Sequence, residues 1–218
     1  MVEFAVNGTK TPGYLAKPAS GSGPGVIVIQ EWWGLVPHIK DIADRFAQAG
    51  YVALAPDLYH GKATTSPDEA GKMMMALQIG PAEKDLAGAV RYLQTVSKGT
   101  KVGVVGFCMG GALSLYAASK NADIGACVVY YGVHPNVKPD LAALHGPVLG
   151  FYAEKDGFTT PAVVKELDGE LTRLGKSHEF HTYPDTDHAF FNDTRPVYDE
   201  HAAKDSWQRM LGFFHDKL

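Results

Sequence analysis

The stretch Val102-Gly103-Val104-Val105-Gly106-Phe107-Cys108-Met109-Gly110-Gly111-Ala112-Leu113 decides how this chain is read. Its first half is uncharged and rich in valine and glycine, the signature of a buried strand in a parallel sheet. From Met109 to about Lys120, apolar residues recur at helical spacing among good helix formers such as Ala112, Leu113, Leu115, Ala117 and Ala118. Between the two lies Gly106-x-Cys108-x-Gly110. This is a strand, sharp turn and helix in succession, the nucleophile elbow, with cysteine where serine is more usual.

The glycines follow from the geometry of such a turn. It presses the strand backbone against the helix, so the positions two before and two after the central residue have no room for a Cβ. The helix beginning at once presents unpaired N–H groups and a partial positive charge, which lower the cost of a thiolate at Cys108. The N–H of Met109 is placed to hold a developing oxyanion. The competing reading is a chance tight turn around an inert, buried cysteine. The strand before, the helix after and the partners downstream weigh against it.

The 218 residues, 45% hydrophobic and 20% charged, suffice for one large α/β domain spanning residues 1–218. A net charge of -4 argues against nucleic acid or an anionic membrane as partner. Cys108 and Cys127, the two cysteines, sit in apolar strand-like surroundings and suit free thiols in a reducing compartment. The start of the chain lacks a signal-peptide pattern and no apolar run is long enough to span a bilayer, so a cytoplasmic monomer is expected.

Strand and helix signals alternate along the chain. Residues 2–6 and 11–17 read as an antiparallel edge joined by Asn7-Gly8-Thr9, and 18–24 as a loop. Strands are expected over 25–30, 51–55, 125–131, 147–153 and 177–183. Helices are expected over 37–49, 68–79, 81–96, 161–174 and 198–216. This pattern predicts an α/β fold: a mostly parallel sheet flanked by helices on both faces, in three layers. The Met73–Met75 run reads first as core and second as a pliable pocket wall.

In an open α/β sheet the chemistry sits beyond the carboxyl ends of the strands. The loop after Tyr152 carries Glu154 and Asp156, and the loop after Tyr183 carries His188. Cys108, Asp156 and His188 thus follow the chain order nucleophile, acid, histidine. His188 would move the protons and Asp156 would fix its tautomer, with Glu154 as the rival acid. His178, His181, Asp185, Asp187 and His188 are dense in potential metal ligands. The odd spacing of His178 and His181 places them on opposite strand faces, and no metal or organic cofactor is expected.

Gly106 to Gly111, Gln30-Glu31, Tyr130-Tyr131-Gly132, Asp156 before Gly157-Phe158 and His188 before Ala189-Phe190 together resemble the dienelactone hydrolase (carboxymethylenebutenolidase) family of α/β-hydrolases. The resemblance covers nearly the whole chain. The cysteine elbow beside the Gln-Glu pair is its specific part. It implies that Glu31 helps form the thiolate and that the N–H of Trp32 is the second oxyanion donor beside that of Met109. One departure matters. The family's carboxylate-clamping arginines have no counterpart between Thr64 and Val90 or in Ala189-Phe190-Phe191-Asn192, and Arg195, further along, is not assigned to the site.

Trp32, Trp33, Tyr59, His134, Phe158, Phe190 and Phe191 fall on or beside strand-end loops and are read as pocket residues, with core packing as their alternative. They suggest a bulky, neutral small-molecule ester or lactone. Two other readings stay open: a general carboxylesterase or thioesterase, and a non-catalytic thiol sensor in which Cys108 is reversibly oxidised.

Overall fold

The computed structural model describes residues 1–6 and 8–218, so Asn7 of the expected turn lies outside the described residues. Eight strands form one sheet: β1 (Val2–Val6), β2 (Thr9–Ala16), β3 (Pro24–Ile29), β4 (Val52–Pro56), β5 (Lys98–Phe107), β6 (Ile124–Tyr130), β7 (Val148–Ala153) and β8 (His178–Tyr183). Their order is β1-β2-β4-β3-β5-β6-β7-β8. β1 and β2 are the antiparallel edge, and every pairing from β4 to β8 is parallel. The central strands are buried on both faces, which is why they read as unbroken apolar runs.

Six α-helices cover the sheet: α1 (Pro37–Gln48), α2 (Pro67–Ala76), α3 (Ile79–Val96), α4 (Met109–Lys120), α5 (Pro161–Arg173) and α6 (Glu200–Lys217). α1 and α6 share one face, where Phe46 meets Trp207 at 4.8 Å and Phe214 at 6.0 Å between ring centroids. α6 presses Phe214 against Gly103 of β5, while α3 presses Leu93 against Gly25 of β3 on the opposite face. Among the described residues no helix is long and apolar enough to cross a membrane.

Some boundaries differ from the sequence reading. The helix expected over 68–79 ends at Ala76, and Leu77 and Gln78 are extended before α3 begins at Ile79. Pro81 explains the break: its ring would collide with the carbonyl four residues back, that of Leu77, while within a new first turn it costs nothing. Met75, expected on the apolar face, is 52% exposed. β5 starts four residues early because Lys98 joins Pro24 across a register shift, a backbone pairing that the polar Lys98–Lys101 segment does not advertise.

The elbow has the tight packing its glycines require. A Cβ on Gly106 would overlap the Gly110 carbonyl, and one on Gly110 would lie 2.5 Å from the backbone oxygens of Ile29 and Gln30. Gly106→Ala should therefore cost at least about 3 kcal/mol. Denaturant melts compared with a Gly157→Ala control, where a Cβ meets nothing within 4 Å, check this.

Candidate active site

β3 and β5 are neighbours at the point where the strand order reverses, which leaves a crevice beyond their carboxyl ends. Glu31 follows β3 and Cys108 follows β5. Cys108 has φ 54° and ψ −118°, a conformation that costs a non-glycine residue energy. Neighbouring backbone holds it there. Its N–H donates to Tyr130 O at 3.0 Å, and its carbonyl accepts from Gly111 N at 2.9 Å and Val133 N at 3.1 Å. His60, Tyr131, Asp185 and Ala189 also have positive φ, and all four lie in loops beyond the same strand ends. Backbone strain is thus gathered on the face that carries the site.

The Cys108 thiol is buried, and the backbone N–H groups of Met109 and Trp32 lie beside its sulfur, where they favour the thiolate. Burial first, and then the charge of Glu31, push the thiol well above its ordinary range, so it is neutral at physiological pH. The Glu31 carboxyl is itself raised to about 7, because burial outweighs the help it receives from Asn192, His188 and Arg195. Asn192 Nδ2 donates to Glu31 Oε2 at 2.7 Å, and Thr194 donates to the Asn192 side-chain oxygen.

His188 Nδ1 lies 2.7 Å from Asp156 Oδ2. The other Asp156 oxygen accepts from Phe158 N at 2.7 Å and Thr159 N at 2.9 Å. Burial alone would raise this carboxyl, but the His188 hydrogen bond and charge, with the two N–H groups, hold it below the usual range. An ionised Asp156 keeps the ring proton on Nδ1 and leaves Nε2 to exchange protons. Glu154 is occupied elsewhere, accepting from Asp185 N at 2.9 Å. His178 and His181 contact Asp168 and Glu179 respectively, away from His188.

A cavity of about 380 Å³ opens over these groups, lined by Glu31, Trp32, Trp33, Cys108, Phe158 and His188. Four residues expected there are not. Phe190 and Phe191 are fully buried, packed against Tyr131 and Tyr183, and against Phe107, Tyr130 and Trp207, respectively. They anchor the loop that carries His188 rather than meeting a ligand. Tyr59 lies beneath the elbow and donates to the Met109 sulfur at 3.2 Å. His134 is also turned away, bonded through Nε2 to Met74 O at 3.2 Å and through Nδ1 to Asn136 N at 3.0 Å.

The converse surprise is Arg195, which lines the cavity with its guanidinium 3.9 Å from the centre of the Trp33 ring. Met74, Val133, Pro135, Ala189, Pro196 and Val197 complete the wall. Asn192 and Arg195 reach the site because the segment after His188 folds back over β3. That return is a long-range contact with no local sequence signal.

Glu31 supplies a stability test. Its folded pKa is above its ordinary 4.5, so the folded chain holds more protons than the unfolded chain between about pH 4.5 and 7. Stability therefore falls as pH rises through that window, by on the order of 3 kcal/mol in total. Glu31→Gln should melt at a higher temperature than the parent at pH 8, with the difference vanishing near pH 4.5. A pH series of thermal melts measures it.

The Dienelactone hydrolase family model matches residues 11–218. "Protein usf" of Aquifex pyrophilus is 42% identical over 232 residues, covering 100% of this chain and 98% of the relative. A protein of Aquifex aeolicus named "Putative carboxymethylenebutenolidase" is 34% identical over 230 residues, again with 100% and 98% coverage. The crystal structure titled "Putative Dienelactone Hydrolase" from Klebsiella pneumoniae superposes with a TM-score of 0.89 at 31% identity, covering 98% of this chain and 97% of the other. With the elbow, the sheet order and these full-length matches in hand, the chain belongs to the dienelactone hydrolase family.

Proposed function

We propose that the protein hydrolyses a small ester or lactone through a thioester on Cys108. The supporting observation is the convergence of Cys108, Glu31, His188 and the Trp32 and Met109 N–H groups on one cavity. The resting thiol is neutral and lies beside the N–H pair that a developing oxyanion would need. Substrate binding therefore has to turn the sulfur out of that pair. The Glu31 carboxylate takes the thiol proton and passes it to His188 Nε2, and the thiolate swings toward the ring. Attack on the carbonyl carbon places the oxyanion on the vacated N–H groups.

Collapse forms the thioester, and His188 gives its proton to the leaving oxygen. The neutral ring then removes a proton from water. The resulting hydroxide attacks the thioester, the acid departs, and the sulfur regains its proton from His188 by way of Glu31. Asp156 orients His188 throughout. The apolar wall around Trp32, Trp33 and Phe158 suits a substrate with a bulky hydrocarbon body. Arg195 adds a cation that an acidic substrate could use, although the sequence pattern favours a neutral one.

With p-nitrophenyl acetate, Cys108→Ala should fold normally and lose at least about a thousandfold in kcat/KM. Near-full activity in that variant overturns the mechanism, and a single stoichiometric burst from the parent protein supports the thiol-sensor reading instead. kcat/KM should also rise through an ionisation near pH 7 assigned to Glu31. In Asn192→Leu that rise should move to higher pH, because the lost hydrogen bond favours the carboxylate. An unmoved profile assigns the limb to another group.

A further inference from the structure

A second cavity of about 240 Å³ lies between α4 and α5, over β6 and β7. Its wall is apolar, with Ala112, Leu115, Val129, Val164 and Leu167 among its residues. Three polar side chains break this pattern: His134 and Thr159, both hydrogen-bonded to backbone, and Tyr152. Tyr152 lines the cavity, is 1% exposed, and its hydroxyl has no hydrogen-bond partner among the described residues. A buried hydroxyl without a partner favours any occupant that supplies one. The cavity shares Val133 and Phe158 with the space over Cys108. Phe158 is 66% exposed and stands edge-on to His188 with ring centroids 5.1 Å apart, so a small side-chain movement would join the two spaces.

We infer that this second cavity receives the leaving alcohol of an open-chain ester: a hydrocarbon or aryl group bearing a hydrogen-bonding substituent at its far end. The inference rests on the proposed esterase reaction and deepens it. The leaving oxygen must be the substrate atom nearest His188, because that ring protonates it. The Phe158 side therefore takes the alcohol, and the Trp33 and Arg195 side takes the acyl part. A compact lactone, whose two halves are tied together, cannot fill both spaces. The two-cavity arrangement assigns this chain an ester with separate acyl and alcohol groups. The Tyr152 hydroxyl pairs with the substituent at the end of the alcohol.

The test compares ethyl, butyl and 2-phenylethyl acetates, whose alcohols have similar intrinsic reactivity. kcat/KM should rise by about tenfold or more from ethyl to 2-phenylethyl acetate as apolar surface is buried. Leu167→Trp, which fills the cavity, and Val163→Trp, at its exposed rim, should abolish that gain and retain ethyl acetate turnover. Circular dichroism reports whether each variant is folded. Tyr152→Phe should remove the further preference for 2-(4-hydroxyphenyl)ethyl acetate over the phenylethyl ester. Equal kcat/KM across the series, or the same gain in both folded tryptophan variants, overturns the inference. If no ester turns over, the esterase reading fails. Calorimetric binding of 2-phenylethanol to Cys108→Ala then decides the cavity alone: binding lost with Leu167→Trp upholds it, and no binding overturns it.

Discussion

The backbone contact between β5 and α4 governs the rest of this structure. Gly106 and Gly110 meet where no Cβ fits, and Gly110 rests on the Ile29 and Gln30 carbonyls at the end of β3. That contact holds three things at once. It sets the strained conformation of Cys108, starts α4 so that its first N–H meets the sulfur, and brings the end of β3 alongside with Glu31 attached. A side chain at either glycine would push apart the elements that share the site.

The cost of this arrangement is concentrated at the carboxyl ends of the strands. A thiol and a carboxyl are buried side by side there, each made harder to ionise by burial. Neither has a full counter-ion. Glu31 has the Asn192 amide and the more distant charges of His188 and Arg195, and Cys108 has two backbone N–H groups. Glu31 is therefore poised between protonation states near pH 7 beside a thiol that burial keeps neutral, which suits proton transfer better than a rigid ion pair would. His188 and Asp156 form the settled half of the site, a short hydrogen bond anchored by two further N–H donors.

Much of this was legible in the sequence because it depends on local pattern. Buried parallel strands announce themselves as apolar runs, the elbow as paired glycines, and Asp156 and His188 as polar residues in successive strand-end loops. What stayed hidden depends on how loops return. Phe190 and Phe191 share a loop with His188, yet the chain turns at Ala189 (φ 68°) and drives both rings into the core. Asn192 and Arg195 then come back over β3, 161 and 164 positions from Glu31 in sequence. Aromatic residues near a strand end look alike in sequence whether they face the cavity, as Phe158 does, or helix, as Phe191 does. His134 and Tyr59 were equally ambiguous, and their hydrogen bonds to Met74 and Met109 decide the matter.

The central claim is that chemistry passes through the Cys108 sulfur. The most direct measurement is peptide mapping by mass spectrometry after the reaction with p-nitrophenyl acetate is quenched in acid. The account predicts one acetyl group, labile to hydroxylamine as a thioester is, on the peptide containing Cys108. An acetyl group stable to hydroxylamine, or one carried on any other residue while turnover proceeds, would contradict it.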